Sequence, residues 1–134
     1  MRVLIPSQHF ADSFVDNVRV TLEAMGHEVR TLGIMAHAAS WSLPRRVFQH
    51  LLEAAGGNSP GPRDRAALTA AKAFKPELVL GLTASLHTDT LVELGKVCPG
   101  RRALWWGDPP ANSQRWGILD PGWDHTVDDV GPAR

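Results

Sequence analysis

Apolar and polar residues alternate along the chain in two rhythms. "RVLIP" at 2–6 is a short apolar run stopped by a proline, the pattern of a buried strand. Asp12 and Ser13 then open a helix. Phe14, Val18, Leu22 and Met25 fall at i, i+4, i+8 and i+11, one face of a 3.6-residue period, and Gly26 ends it. "HEVRTLG" at 27–33 alternates and predicts a second strand. Strand, helix and strand in that order open a parallel α/β unit.

The rest of the chain repeats the theme. A helix is expected over 43–55, with Val47, Leu51 and Leu52 inward, Pro44 in its first turn and Trp41 as an anchor ahead of it. "GGNSPGP" at 56–62 is a cluster of breakers and reads as a mobile loop. "RDRAALTAAKAF" predicts a helix with Ala67, Leu68, Ala71 and Phe74 on one side, stopped by Lys75-Pro76. "ELVLGL" at 77–82 is nearly all apolar, as a central parallel strand covered on both faces must be. "TDTLVELGKV" follows as a helix capped by Thr88 or Asp89, and 102–106 and 124–130 supply two more strands.

The reading is one domain over 1–134: a Rossmann-like, doubly wound, mainly parallel open α/β sheet of about five strands with helices on both faces. In such sheets ligands lie beyond the carboxyl ends of the strands. That rule points to Ser7-Gln8-His9, to 83–87, and to Gly107-Asp108-Pro109-Pro110.

Composition narrows the function classes. Of 134 residues 43% are hydrophobic and 21% charged, with zero formal net charge, so there is no strong nucleic-acid signal. The doublets Arg45-Arg46 and Arg101-Arg102 read as solvated element ends. A single cysteine, Cys98, cannot form an internal disulfide, which suits a reducing, cytoplasmic setting; between Val97 and Pro99 it reads as packed. There is no apolar run near 18 residues and no secretory pattern at the start, so no membrane span is expected.

Several chemistries fail on their residues. The segment after the first strand, "PSQHFADS", lacks the glycines of a dinucleotide or P-loop site. A phosphoacceptor receiver needs an acidic pair after the first strand and an aspartate ending the third; Ser7-Gln8 and Thr83 stand there. The histidines show no metal-ligand spacing, and Asp128-Asp129 reads as a solvated pair near the chain end; no cofactor is expected. What remains is a polar set. His9 could take a proton from a hydroxyl, with Asp108 holding its tautomer, and both have a plain alternative as cap or turn residues. Ser85 and His87 could bind hydroxyls or cap the helix that follows them. Trp105 and Trp106 alternate in a strand and pack under opposite helix layers, while Trp116 and Trp123, in loop-rich sequence, read as core residues, with partly exposed faces that stack on sugars or bases as the alternative.

These stretches carry a resemblance. "MRVLIPSQHFADSFVDNVRVTLEAMGHEV" and "FKPELVLGL" resemble the N-terminal domain of GT-B glycosyltransferases, and "LWWGDPP" with "WDHTVDDVGPA" is similar to the CgeB-like (spore-maturation-type) group. The resemblance implies the acceptor-side half of a two-domain enzyme. A missing C-terminal domain would hold the nucleotide-sugar donor, and the fragment alone would be inactive. It implies His9 as base and Asp108 as its partner, with Ser7, Gln8, Ser85, His87 and Trp106 lining the acceptor cleft. The rival readings are a non-catalytic, flavodoxin-like module for a small ligand or partner, and an oligomerisation domain with an exposed apolar patch.

Overall fold

The apolar run at 77–82 becomes the spine of the sheet. The computed structural model describes residues 1–34, 60–82, 86–98, 100–106 and 122–128. In chain order they form β1 (Arg2–Leu4), α1 (Phe14–Ala24), β2 (Glu28–Arg30), α2 (Pro62–Phe74), β3 (Leu78–Leu82), α3 (Thr88–Val97), β4 (Arg101–Trp106) and β5 (His125–Asp128). The five strands pair in the order β2-β1-β3-β4-β5, every pair parallel. The chain steps outward from β1 to β2, then crosses back over β1 to build the other half. This is the flavodoxin-like winding, whose reversal point lies between β1 and β3. The helix expected at 43–55, residues 56–59, Trp41 and Trp116 lie outside the described residues.

Period-2 alternation sends β3 to both helix layers. Val79 packs with Leu4, Ala67, Ala71, Phe74, Leu91, Leu94, Leu104 and Trp123 on the α2–α3 side. Leu82, with Val3, Ile5 and Val15, forms the α1 side, where Val18, Leu22, Leu78, Leu80 and Trp105 are partly buried. The doubly wound expectation therefore holds.

Helix α2 follows its sequence closely. Gly61 is its N-cap, Pro62 its first residue, and Lys75 its left-handed C-cap at φ 49°. Helix α1 differs in detail. Ser13 caps it, accepting the Asp16 N–H at 3.1 Å, but the inward stripe is Val15, Val18 and Leu22. Phe14 is 41% and Met25 65% exposed. Phe14 is the first residue of the helix and Met25 its C-cap, end positions that lack a further turn of helix on one side to cover them. The Phe14 ring instead meets Trp105 edge-on at 5.5 Å. Helix α3 is capped not by Thr88 or Asp89 but by His87, whose capping role is the other reading: its Nδ1 accepts the Asp89 N–H at 3.2 Å.

The far half of the sheet is fastened by side chains. Arg102 is not a solvated end. Its Nε and Nη2 grip the two carboxylate oxygens of Asp124 at 3.2 and 2.8 Å, and Nη1 donates to Leu91 O at 3.1 Å. Trp123 is buried at 6% exposure, as its core reading expected. Gly100 stands where β3 and β4 begin, and a Cβ there would collide with the Glu77 backbone carbonyl. That carbonyl accepts the Arg101 N–H at 3.1 Å and cannot retreat without opening the first β3–β4 rung. Gly100→Ala is expected to cost about 1–3 kcal/mol, as overpacking does. Urea unfolding would read this as a lower midpoint, and an unchanged midpoint would refute it.

Candidate functional site

The carboxyl edge begins where β1 runs past its last residue. Ile5 N–H donates to Arg30 O at 2.8 Å, Leu32 N–H to Ser7 O at 3.0 Å, and His9 N–H to Gly33 O at 3.1 Å. A parallel bridge between His9 and Ile34 completes the run. The β1 tip therefore leans along β2, the outer strand, and away from β3. Ser7 is half-buried and Gln8 exposed along it.

His9 has two neighbours there. Its Nδ1 lies 2.9 Å from Thr31 Oγ1, and its Nε2 lies 3.9 Å from Asp16 Oδ1. Asp16 belongs to the first turn of α1. Arg19 donates to the same Oδ1 from Nε at 3.1 Å and Nη2 at 2.8 Å, and its Nη1 reaches Glu23 at 2.7 Å. These Arg19 hydrogen bonds, helped by its charge, hold the Asp16 carboxyl below the usual range against the opposing effect of burial.

The carboxylate beside His9 is thus Asp16. Asp108, the partner expected from the sequence, lies outside the described residues, as does Ser85. The strand that precedes Asp108, β4, is separated from β1 by β3, two steps of about 4.8 Å away. Trp106 closes β4 in that part of the edge.

A second cluster joins two helix starts. Asp64, the third residue of α2, is buried at 9% exposure. Its Oδ2 accepts the Gly61 N–H at 2.9 Å, and its Oδ1 accepts the His87 N–H at 2.8 Å. One carboxylate thereby serves the orphan amides of α2 and α3 together. Burial lowers the neighbouring Arg63 from its ordinary value, with the Asp64 charge opposing. The His87 imidazole is committed to the α3 cap, the plainer of its two expected roles.

Asp16, Arg19, Thr31 and Asp64 were not singled out from the sequence. The spacing that could have found two of them was present: Ser13-x-x-Asp16 and Gly61-x-x-Asp64 carry an acid at the third helical position. Among the described residues no group of three or more His, Cys, Asp or Glu could hold a metal, and no helix is long and apolar enough to cross a membrane. A shallow hollow of about 360 Å³ lies at the opposite, amino edge, beside Arg2, Lys75, Pro76 and Cys98. Its groups serve packing: Arg2 Nη1 donates to Phe74 O at 3.2 Å, and the buried Cys98 thiol to Pro76 O at 2.6 Å.

No family model matches the chain, and no curated protein matches it. Among solved structures, one match is the signal receiver domain of a modulated diguanylate cyclase from Desulfovibrio desulfuricans G20, described as an example of alternate folding. The TM-score is 0.53 at 12% identity, covering 98% of this chain and 82% of that one. The chain shares its fold with a signal receiver domain.

That finding corrects the resemblance to GT-B and CgeB-like glycosyltransferases, and with it the acceptor, nucleotide-sugar donor and glycosyl-transfer function it implied. The physical reason lies in the motifs. "GHEV" and "KPELVL" mark a turn entering β2 and a chain entering β3, which any parallel α/β sheet requires. In "LWW", Leu104 and Trp105 are explained by packing: Leu104 is buried, and the Trp105 ring meets Phe14 of α1 edge-on.

Proposed function

We propose that this chain is a non-catalytic, flavodoxin-like module that recognises a partner at the carboxyl edge of its sheet, without accepting a phosphoryl group. One observation carries the reading: a receiver-type fold whose strand ends lack receiver chemistry. Ser7-Gln8 follows β1 where an acidic pair would hold a divalent cation, and Thr83 follows β3 where a carboxylate would accept phosphate. Neutral Ser and Gln are poor ligands for a hard dication, and a threonine hydroxyl offers no acyl phosphate.

What the edge does present is mixed polar and apolar surface. Gln8 is exposed and His9 half-buried, His9 bridges to Ile34, and Phe10, Phe14 and Ile34 are 40%, 41% and 78% exposed. Apolar groups rimmed by polar ones suit a protein partner better than a free anion.

Two measurements test the reading. Treatment of the intact chain with acetyl phosphate and Mg²⁺ is expected to leave its mass unchanged; a phosphoryl adduct would overturn it. Phe10→benzoylphenylalanine, in cells that make the protein, is expected to crosslink a partner on illumination. Met25→benzoylphenylalanine at the opposite edge is expected not to. Equal labelling from both positions, or none from Phe10, would count against recognition at this edge.

A further inference from the structure

β2 is an outer strand of the sheet, and part of its backbone looks away from β1. Glu28 N–H donates to Met1 O at 3.0 Å, Ile5 N–H to Arg30 O at 2.8 Å, and Leu32 N–H to Ser7 O at 3.0 Å. Glu28, Arg30 and Leu32 thus direct their backbone groups at β1. In a planar trans peptide the C=O and the following N–H point in opposite directions, and no peptide bond here is cis. The carbonyls of His27 and Thr31, the N–H of Thr31 and both groups of Val29 therefore point outward. Among the described residues none of these groups has a hydrogen-bond partner.

The side chains are patterned along the same edge. Arg30 holds its guanidinium over the Phe74 ring of α2 at 4.5 Å, and Glu28, two residues earlier, shares that face. Both are exposed, while Val29 turns to the α1 side and packs with Val3 and Ile5. Glu-Val-Arg is its own complement when reversed. A second β2 laid antiparallel, with Val29 opposite the partner's Val29, sets Glu28 opposite the partner's Arg30 and Arg30 opposite the partner's Glu28. These are non-hydrogen-bonded pairs, in which facing side chains come closest.

The backbone obeys the same register. Val29 exchanges both of its bonds with the partner's Val29, and Thr31 N–H donates to the partner's His27 O on each side of the axis. His27 N–H asks for nothing, because it already donates to Leu22 O at 3.0 Å. Sliding the pair by two residues sets Glu28 against Glu28 or Arg30 against Arg30. Sliding it by one misaligns the outward groups. Charge and hydrogen bonding select one arrangement.

We propose that the outer edge of β2 is a self-association surface, on which two copies of this chain pair antiparallel about Val29 and join their sheets across a two-fold axis. The occupant is a second copy because one stretch supplies both halves of the match. The contact is narrow, so the dimer is weak and forms at high chain concentration. It lies on the flank of β2 and is independent of the partner proposed for the carboxyl edge.

Sedimentation equilibrium of the full chain at rising concentration is expected to show a monomer–dimer equilibrium, with the Val29 and Thr31 amides exchanging more slowly as dimer forms. Glu28→Arg and Arg30→Glu each set like charges opposite one another and are each expected to raise Kd about tenfold. Mixed together, the two variants are expected to dimerise again, since each then meets opposite charge on the other. Circular dichroism checks that each is folded. Should Arg30→Glu lose its fold with its Phe74 contact, Glu28→Arg and the wild-type amide exchange decide. A chain that stays monomeric to millimolar concentration would overturn the pairing. So would a dimer that Glu28→Arg leaves unchanged, one that does not slow Val29 and Thr31 exchange, or folded variants that fail to rescue each other.

Discussion

Trp123→Ala is expected to destabilise the protein by about 3–5 kcal/mol, the usual cost of removing a buried aromatic ring. The ring is 6% exposed and fills a space created by a missing side chain: a Cβ on Gly81 would lie 2.7 Å from Trp123 Cη2 and 2.8 Å from Leu104 Cδ1. Because Gly81 has no side chain with which to follow the ring out, the cavity can close only by moving β3 itself. Such a loss is a large part of a typical stability of about 5–15 kcal/mol. Urea unfolding checks the size of the effect. The pairing is checked by a cycle with Gly81→Ala, which should cost clearly less in the Trp123→Ala background than alone. A Trp123→Ala loss under about 1 kcal/mol, or simple additivity, would mean that the two positions do not share one space.

Asp64→Ala is expected to cost about 2–4 kcal/mol, since it strips a charged acceptor from two amides at once. Gly61 N–H and His87 N–H each have this carboxylate as their partner, at 2.9 and 2.8 Å. Asp64→Asn keeps one acceptor oxygen and should fall between the alanine variant and the wild type. Amide exchange separates the local effect from the global one. Gly61 and His87 should lose protection first, while the β1 tip, tied to β2 by its own bonds, keeps it. If Asn and Ala behave alike, or if both match the wild type, the carboxylate is not the clamp between α2 and α3.

The distance between reading and structure differs by element. The stripe Ala67, Ala71 and Phe74 on α2, and the continuous apolar run of β3, were legible because each depends on spacing along one stretch of chain. The stripe on α1 differs at its ends, because Phe14 opens the helix and Met25 caps it, and at such positions the periodic pattern alone does not decide burial. The strand motifs suggested an enzyme family, yet their residues answer to demands that many α/β folds share. At the candidate site the residue type was found and its companion was not. His9 is legible in the sequence as the imidazole at the first strand end, while the carboxylate beside it is Asp16 on the helix that follows.

By itself the sequence determined the order of strands and helices, the two-sided burial of β3 and the absence of receiver-type acids after β1 and β3. These properties reside in the identities and spacing of nearby residues, which hydrophobic periodicity and side-chain chemistry read directly. Only the tertiary structure decided which polar groups meet. His9 and Thr31 are 22 residues apart, as are Arg102 and Asp124, and Asp64 reaches an amide 23 residues on. Contacts of that range depend on strand order, register and the lean of a strand tip. A shift of one residue in any of them would bring different side chains together.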